Sequence, residues 1–162
     1  MTQRVDLGTL LDRLAIDELI TGYAAAVDDG DWPGYRALFA AEGRADYRAA
    51  GGIEGGAEEV ARWLGETLEF FPVRQHLITN RMLTLQDLGG YPGDRAELRA
   101  DYLNPMCCGT GGGVAPPAPD FEAGGRYAFS LVRTEEGWRL RSVTVFEKWR
   151  RLSGALAGHS GG

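Results

Sequence analysis

The chain has 162 residues, of which 44% are hydrophobic and 25% charged, as in an ordinary globular protein of one domain. A formal net charge of −6 and the lack of any lysine and arginine run argue against phosphate-mediated nucleic-acid binding. No stretch reaches the ~18 apolar residues of a membrane span, and residues 1–6 lack a signal-peptide core, so we expect a cytoplasmic protein. We expect one domain over residues 1–152 and a flexible, glycine-containing tail over 153–162.

Two helices are predicted at the start of the chain. The first runs from about Leu7 or Thr9 to Asp28, because apolar residues recur there at spacings of three and four. Those residues are Ile16, Leu19, Ile20, Tyr23 and Val27. The second helix runs from Trp32 to Phe39, since Asp31 is a good N-cap and Pro33 suits the first turn.

A short strand is predicted next, around Asp46 and Tyr47, and it is followed by a third helix from about Gly56 to Phe70. We expect the inner side of this helix to carry Val60, Trp63, Leu64, Thr67 and Leu68.

Four longer strands complete the chain. The first spans about Gln75 to Gln86, and in the second Ala96, Leu98, Ala100 and Tyr102 alternate on one face. The last two form a hairpin that turns at residues 135–137, after a loop predicted over 107–125 because that segment is rich in Gly and Pro. This order predicts an α+β fold in which three helices close a curved sheet into a cone around a small-molecule cavity.

Three carboxylates, Asp28, Asp29 and Asp31, stand where the first helix should end. Acidic groups are unfavourable there, because the C-terminal end of a helix carries partial negative charge. Asp31 caps the second helix and Asp29 belongs to the turn with Gly30, which leaves Asp28 without a structural role. Asp28 is therefore either a solvated turn residue or a catalytic carboxylate at the mouth of the cavity.

His76 is the one histidine in the body of the chain, since His159 lies in the tail. A buried carboxylate beside an imidazole fixes its tautomer and raises its basicity, so Asp28 and His76 are a candidate dyad. A structural hydrogen bond is the alternative for His76. One histidine without clustered carboxylates is too few ligands for a metal, and the adjacent Cys107 and Cys108 are predicted to be packing residues.

Tyr23 and Tyr47 are candidate proton donors or carbonyl-polarising groups, although Tyr23 could equally be a core residue. Tyr23 and Asp28 lie ~140° apart around a regular helix, so we expect them to share a cavity only if the helix loosens near Asp28. Arg126 follows two glycines and could bind a substrate carboxylate or solvate the end of a strand.

Three segments, "AAAVDDGDWPGYRALFAAEGRADYRAA", "RQHLITNRM" and "GGRYAFSLVRTEEGWRLRSV", resemble the SnoaL-like branch of the NTF2-like superfamily. The resemblance covers about Leu10 to Trp149 and is greatest to the scytalone dehydratase type and the related bile acid 7α-dehydratases. It implies a cone-shaped α+β barrel with a deep apolar pocket. The superfamily contains dehydratases, isomerases, cyclases, epoxide hydrolases and non-enzymes, so the fold alone does not settle the activity.

The resemblance also implies roles for individual residues. Asp28 matches the dehydratase aspartate, His76 its partner base, Tyr47 a carbonyl-activating tyrosine, and Tyr23 the helix tyrosine of the bile acid enzymes. Asn104, Arg126, Trp63 and Phe129 are expected to contact the substrate. The chain departs from scytalone dehydratase at Val27, where that enzyme has a tyrosine, and on the strand of Asn104, where that enzyme has a second histidine. The serine and asparagine of that enzyme's next strand correspond to residues 126–128 here, where neither occurs.

Two classes of function follow from these residues. The first is a cofactor-free lyase or isomerase, foremost a dehydratase, that removes a proton α to a carbonyl of a small apolar polyketide- or steroid-like substrate. The alternatives are a polyketide cyclase, or a non-catalytic binding or assembly domain in which Asp28 and His76 lie apart. The strands near Tyr102 and Phe129 have more apolar side chains than one cavity needs, and the resemblance implies sheets that pair or form trimers through their outer faces. We therefore expect a homo-oligomer, with a trimer slightly preferred over a dimer.

Overall fold

In the computed structural model, which describes residues 6–86, 89–109 and 117–159, three helices pack against a seven-stranded sheet. The helices are α1 (Leu7–Asp29), α2 (Trp32–Ala37) and α3 (Ala57–Leu68). The strands are β1 (Phe39–Asp46), β2 (Glu54–Gly56), β3 (Val73–Arg74), β4 (Leu77–Gln86), β5 (Arg95–Cys107), β6 (Phe121–Thr134) and β7 (Gly137–Leu152). Short 3₁₀ helices cover Arg48–Ala50 and Gly154–His159.

The sheet is mixed and curls into a half-barrel. Its strand order is β2-β1-β7-β6-β5-β3, with β4 also paired to β5, and β1 with β7 is the one parallel pair among the described strands. The buried stripe of α1 and the inner faces of β5, β6 and β7 form the core. The predicted α+β NTF2-like cone is confirmed. Among the described helices, none is both long and apolar enough to cross a lipid bilayer.

The helices and the turn of the hairpin agree with the predictions, with shifts at their ends. Asp31 caps α2 by accepting a hydrogen bond from the Gly34 N–H at 2.9 Å. This helix ends at Ala37 rather than Phe39, because Phe39 already begins β1 and packs into the core. Tyr47 lies just past the end of β1, where its carbonyl accepts a hydrogen bond from the Ala50 N–H of a 3₁₀ helix.

The loop predicted over residues 107–125 is wrong at both ends, since Cys107 belongs to β5 and β6 begins at Phe121. Gly124 and Gly125 lie inside β6. A Cβ at Gly124 would collide with the Trp149 indole, and a Cβ at Gly125 would collide with the Phe146 carbonyl. These glycines therefore permit close packing within the sheet rather than a turn. Residues 110–116 of the predicted loop lie outside the described residues.

The tail predicted from residue 153 contains regular structure over its first part. Residues 154–159 form a 3₁₀ helix held by Asp120, whose carboxylate accepts from the Ala155 N–H at 3.0 Å and whose carbonyl accepts from the Ser153 N–H at 2.8 Å. The Leu156 side chain reaches the central cavity. Residues 160–162 lie outside the described part of the chain.

An ion-pair cluster fastens the N-terminal half of α1 to the far end of the sheet. The Arg133 guanidinium pairs with Asp12 at 2.6 Å and with Asp94 at 3.1 Å, and it lies over the Trp138 ring. Burial raises the pKa of Asp12, but the hydrogen bonds from Arg133 and Trp138 outweigh burial, and the pKa lies below its usual value. The cluster therefore stabilises the fold when both carboxylates are ionised.

The outer face of the sheet carries an apolar row across four strands. Leu77 pairs with Leu103, which pairs with Gly124, which pairs with Trp149. Each of the three large side chains in this row is 39–47% exposed. Exposed apolar rows of this kind are typical of subunit interfaces.

We expect the protein to form a homo-oligomer through this outer face, with a trimer slightly preferred over a dimer. Sedimentation velocity at micromolar concentration should give the mass of the oligomer, and Trp149→Glu should lower it by placing a charge in the contact. Leu10→Glu, on the exposed side of α1, is the matched control. A monomer under these conditions would contradict the prediction.

Candidate active site

A cavity of about 380 Å³ lies between the helices and the inner face of the sheet, within the usual range for small-molecule sites. Its walls are mostly apolar and include Val27, Trp63, Leu64, Leu68, Phe71, Met106, Phe121, Val145 and Leu152. The polar groups that line it are Tyr23, Tyr47, Thr67, His76, Tyr102, Asn104, Tyr127, Glu147 and Arg150. The cavity therefore suits a compact, largely apolar ligand with a few polar substituents.

Asp28 holds His76 by two hydrogen bonds. Its Oδ1 lies 2.6 Å from the ring Nδ1, and its Oδ2 accepts the His76 backbone N–H at 2.8 Å. The side chains are 19% and 7% exposed, so neither is a solvated turn residue. A carboxylate at Nδ1 favours the tautomer with a proton on Nδ1, which leaves Nε2 as the ring nitrogen available to the cavity.

The end of α1 explains how a carboxylate is tolerated there. Gly30 adopts the left-handed conformation (φ 69°) and ends the helix, with its N–H directed at the carbonyls of Ala26 and Val27. The Arg74 guanidinium donates to the carbonyl of Asp28 at 3.1 Å and to that of Leu68, at the end of α3, at 3.2 Å. A cation thus lies at the negative ends of two helices and offsets their effect on Asp28.

Helix α1 does not loosen near Asp28, and Tyr23 and Asp28 accordingly do not share the cavity. The helix is continuous through Asp29, and Tyr23 lines the cavity whereas Asp28 does not. Asp28 reaches the cavity only through His76, which comes from the link between β3 and β4. Tyr23 and Asp28 therefore lie on different faces of a regular helix: Tyr23 faces the cavity, and Asp28 faces His76.

The tyrosines form a chain of buried hydroxyl groups. The Tyr47 hydroxyl bonds to those of Tyr23 and Tyr35, the latter at 2.9 Å. Tyr23 and Tyr47 line the cavity, and Tyr35 supports them from behind. The Tyr127 ring packs edge-on against the Tyr23 ring with centroids 5.7 Å apart.

Burial keeps these hydroxyls neutral. Desolvation raises the pKa of Tyr23 and of Tyr47 well above the ordinary value, and it also raises the pKa of Tyr35 and of Tyr127. Burial, together with the Glu147 carboxylate, raises the pKa of Tyr102 to about 12. Each hydroxyl therefore remains a hydrogen-bond donor at neutral pH.

The four residues expected to contact the substrate divide into two pairs. Trp63 and Asn104 line the cavity. Arg126 does not, because it lies on the outer face of β6 and its Nε donates to Asp101 at 2.8 Å. Phe129 is fully buried and packs edge-on against Tyr23, so it belongs to the core beneath the cavity.

Several residues that line or support the cavity were missed. They are Tyr35, Tyr102, Tyr127, Glu147 and Arg150. Strand alternation could have found Tyr127, because it has the same parity as Phe129 and the opposite parity to Arg126. Alternation on β5 placed Tyr102 on one face with Ala96, Leu98 and Ala100, but its part in the cavity was not predicted.

A bulge in β7 explains why Glu147 and Arg150 were harder to find. Gly124 pairs with Trp149 and Gly125 with Glu147, so Lys148 is the extra residue and the alternation shifts by one. Both side chains consequently face the cavity, where the Arg150 guanidinium makes two bonds of 2.9–3.0 Å to the Glu147 carboxylate. Arg150 also donates to the Ala50 carbonyl at 2.8 Å, closing one side of the cavity mouth.

The chain belongs to the SnoaL-like domain family, whose model matches residues 8–144. It is 31% identical over 136 residues to the uncharacterized protein Rv2910c of Mycobacterium tuberculosis, covering 84% of this chain and 85% of that protein.

Two solved structures share the fold. One is a candidate scytalone dehydratase of Novosphingobium aromaticivorans, with 15% identity, a TM-score of 0.69 and 91% of each chain covered. The other is the hexachlorocyclohexane dehydrochlorinase LinA-type3 of Novosphingobium barchaimii, with 15% identity, a TM-score of 0.69 and 93% and 96% covered. At these identities the likeness shows the fold alone.

Proposed function

We propose that this protein is a cofactor-free lyase or isomerase, foremost a dehydratase, that removes a proton α to a carbonyl. The substrate class is a compact, mostly apolar β-hydroxy ketone of polyketide-like or steroid-like shape. The observation that carries the proposal is the 2.6 Å contact between Asp28 Oδ1 and His76 Nδ1 in the wall of an apolar cavity. The two structural neighbours, a candidate dehydratase and a dehydrochlorinase, are consistent with an elimination.

His76 acts as the base. Its Nε2 accepts the α-proton, and the Asp28 carboxylate stabilises the imidazolium that results. The second bond from Asp28, to the His76 backbone N–H, keeps the ring in one orientation. Because the orientation exists before the ligand arrives, it need not be formed during the reaction.

Tyr47 or Tyr23 stabilises the negative charge that develops on the carbonyl oxygen. Both hydroxyls are buried and neutral in a mostly apolar cavity, which is where preorganised donors are most effective. The Tyr35 hydroxyl makes a hydrogen bond to the Tyr47 hydroxyl, and this bond orients the Tyr47 hydroxyl. Elimination follows when the C–O bond to the β-hydroxyl breaks, the double bond forms and the imidazolium proton completes a water molecule.

The non-catalytic alternative required Asp28 and His76 to lie apart or to face outward. Their contact within the cavity wall favours chemistry over binding alone. Isomerisation and cyclisation pass through the same enolate and differ from dehydration in the fate of that enolate, so they remain alternatives within the proposed class.

The dyad can be tested with 3-hydroxy-1-tetralone, whose dehydration gives the absorbing product 1-naphthol, and with 1-tetralone, whose α-hydrogens exchange in deuterated water. We expect Asp28→Asn to lower both rates by about 10² or more, because the imidazolium loses its counter-charge. His76→Ala should be at least as damaging. Asp29→Asn, at the neighbouring exposed carboxylate, should leave both rates unchanged. Full activity in folded Asp28→Asn protein would end the dyad hypothesis.

The tyrosine chain generates a graded prediction for the same two assays. Tyr47→Phe should lower the rates most, since it removes a hydroxyl that lines the cavity. Tyr35→Phe should lower them by roughly 2- to 12-fold, the equivalent of one hydrogen bond of about 0.5–1.5 kcal/mol. Tyr91→Phe is the control, because Tyr91 is exposed. Equal effects of Tyr35→Phe and Tyr91→Phe would contradict the role of the chain.

A further inference from the structure

A polar atom in the cavity wall beside His76 has no partner. Asn104 Oδ1 is fully buried, and among buried side-chain nitrogen and oxygen atoms in the described ranges it is the one left without a hydrogen bond. Buried acceptors in folded proteins are nearly always satisfied, because leaving one unpaired costs its desolvation. The Asn104 side chain lines the cavity, so a bound ligand can supply the missing donor.

The strand register places Asn104 next to His76. Arg74 pairs with Met106 in β3, and Leu77 pairs with Leu103 at the start of β4. The same register brings His76 opposite Asn104, and both side chains line the cavity. Opposed side chains of antiparallel strands are separated by about 5 Å at their Cβ atoms. A ligand carbon facing His76 therefore has its neighbouring carbon within reach of Asn104.

No donor among the described residues bonds to this oxygen. Met106 lies on the same face of the same strand and Ala123 is the cross-strand neighbour on β6, and neither side chain can donate. Arg150 also lines the cavity, but its guanidinium is already bonded to Glu147 and to the Ala50 carbonyl.

We propose that Asn104 determines the leaving group: its Oδ1 accepts a hydrogen bond from the β-hydroxyl of the substrate. This inference rests on the proposed function and extends it to the residue that selects the leaving group, a β-hydroxyl and not a β-halogen. A hydroxyl can donate to an amide oxygen, whereas a halogen carries no hydrogen and leaves the buried oxygen unpaired. A site built to pair with a hydroxyl rejects analogues that lack it far more strongly than an apolar pocket does.

The same contact fits the elimination step. The hydroxyl directs its hydrogen to Asn104 Oδ1, so a lone pair of its oxygen is free to accept the proton that His76 Nε2 took from the α-carbon. The C–O bond then breaks, the electrons of the former α C–H bond form the double bond, and one water leaves. Asn104 gains and loses no proton, and so it is a positioning residue.

Elimination from 3-hydroxy-1-tetralone and from 3-chloro-1-tetralone, with the uncatalysed rate subtracted, tests this proposal. For the wild-type protein we expect the ratio of the elimination rate of the hydroxyl compound to that of the chloride to exceed the same ratio without protein. Asn104→Leu, which removes the acceptor at similar volume, should reduce kcat/KM for the hydroxyl compound at least tenfold and change the chloride reaction little. An equal loss on both compounds, or no loss on either, would overturn the proposal.

Exchange of the α-hydrogens of 1-tetralone separates this proposal from the proposed function. The compound has no β-substituent, so Asn104→Leu should lose much less of its exchange rate than of its rate on 3-hydroxy-1-tetralone, and the exchange also reports a correctly folded site. If Asn104→Leu retains exchange and keeps the wild-type preference for the hydroxyl compound over the chloride, the role of Asn104 is rejected and the proposed function still stands. No exchange in the wild-type protein would reject the proposed function itself.

Discussion

The Asp28 carboxylate is the contact on which the site depends, because it joins the end of α1 to the sheet edge that carries His76. One oxygen binds the imidazole and the other binds the backbone N–H of the same residue. The ring is thereby fixed relative to the chain that bears it. Arg74, two residues before His76, binds the carbonyl of Asp28 in return, so charge at the helix end is balanced by a neighbour on the same edge.

The rest of the cavity arranges neutral groups around that one charged pair. Buried tyrosine hydroxyls have raised pKa values and remain donors, and the Asn104 amide offers an acceptor on the opposed strand. The second charged pair, Glu147 with Arg150, lies at the mouth of the cavity. Its two charges balance each other through the hydrogen bonds between them. A carbonyl facing the tyrosines and a hydroxyl facing Asn104 would thus be oriented by groups that do not compete with His76 for the proton.

The sequence predicted the elements well where one face is buried, as in the stripe of α1 and the alternation of β5. It failed at Arg126 because a strand exposes alternate residues, and Arg126 and Phe129 cannot share a face without a bulge between them. Gly124 and Gly125 predicted a loop because composition does not distinguish a turn from a close approach of side chains. The contact between Asp28 and His76 joins positions 48 residues apart, so no local pattern could establish it. The unexplained carboxylate at the end of α1 and the family resemblance could only suggest the pair.

The decisive property of the site is the tautomer of His76, which we hold to be set by Asp28. Two-bond ¹H–¹⁵N correlation spectra of histidine-labelled protein report that tautomer, and His159→Gln assigns the second histidine signal. At neutral pH we expect the His76 proton on Nδ1, with Nε2 unprotonated, and we expect Asp28→Asn to abolish this preference. A proton on Nε2, or the tautomer mixture of a free imidazole, would show that Asp28 does not orient the base.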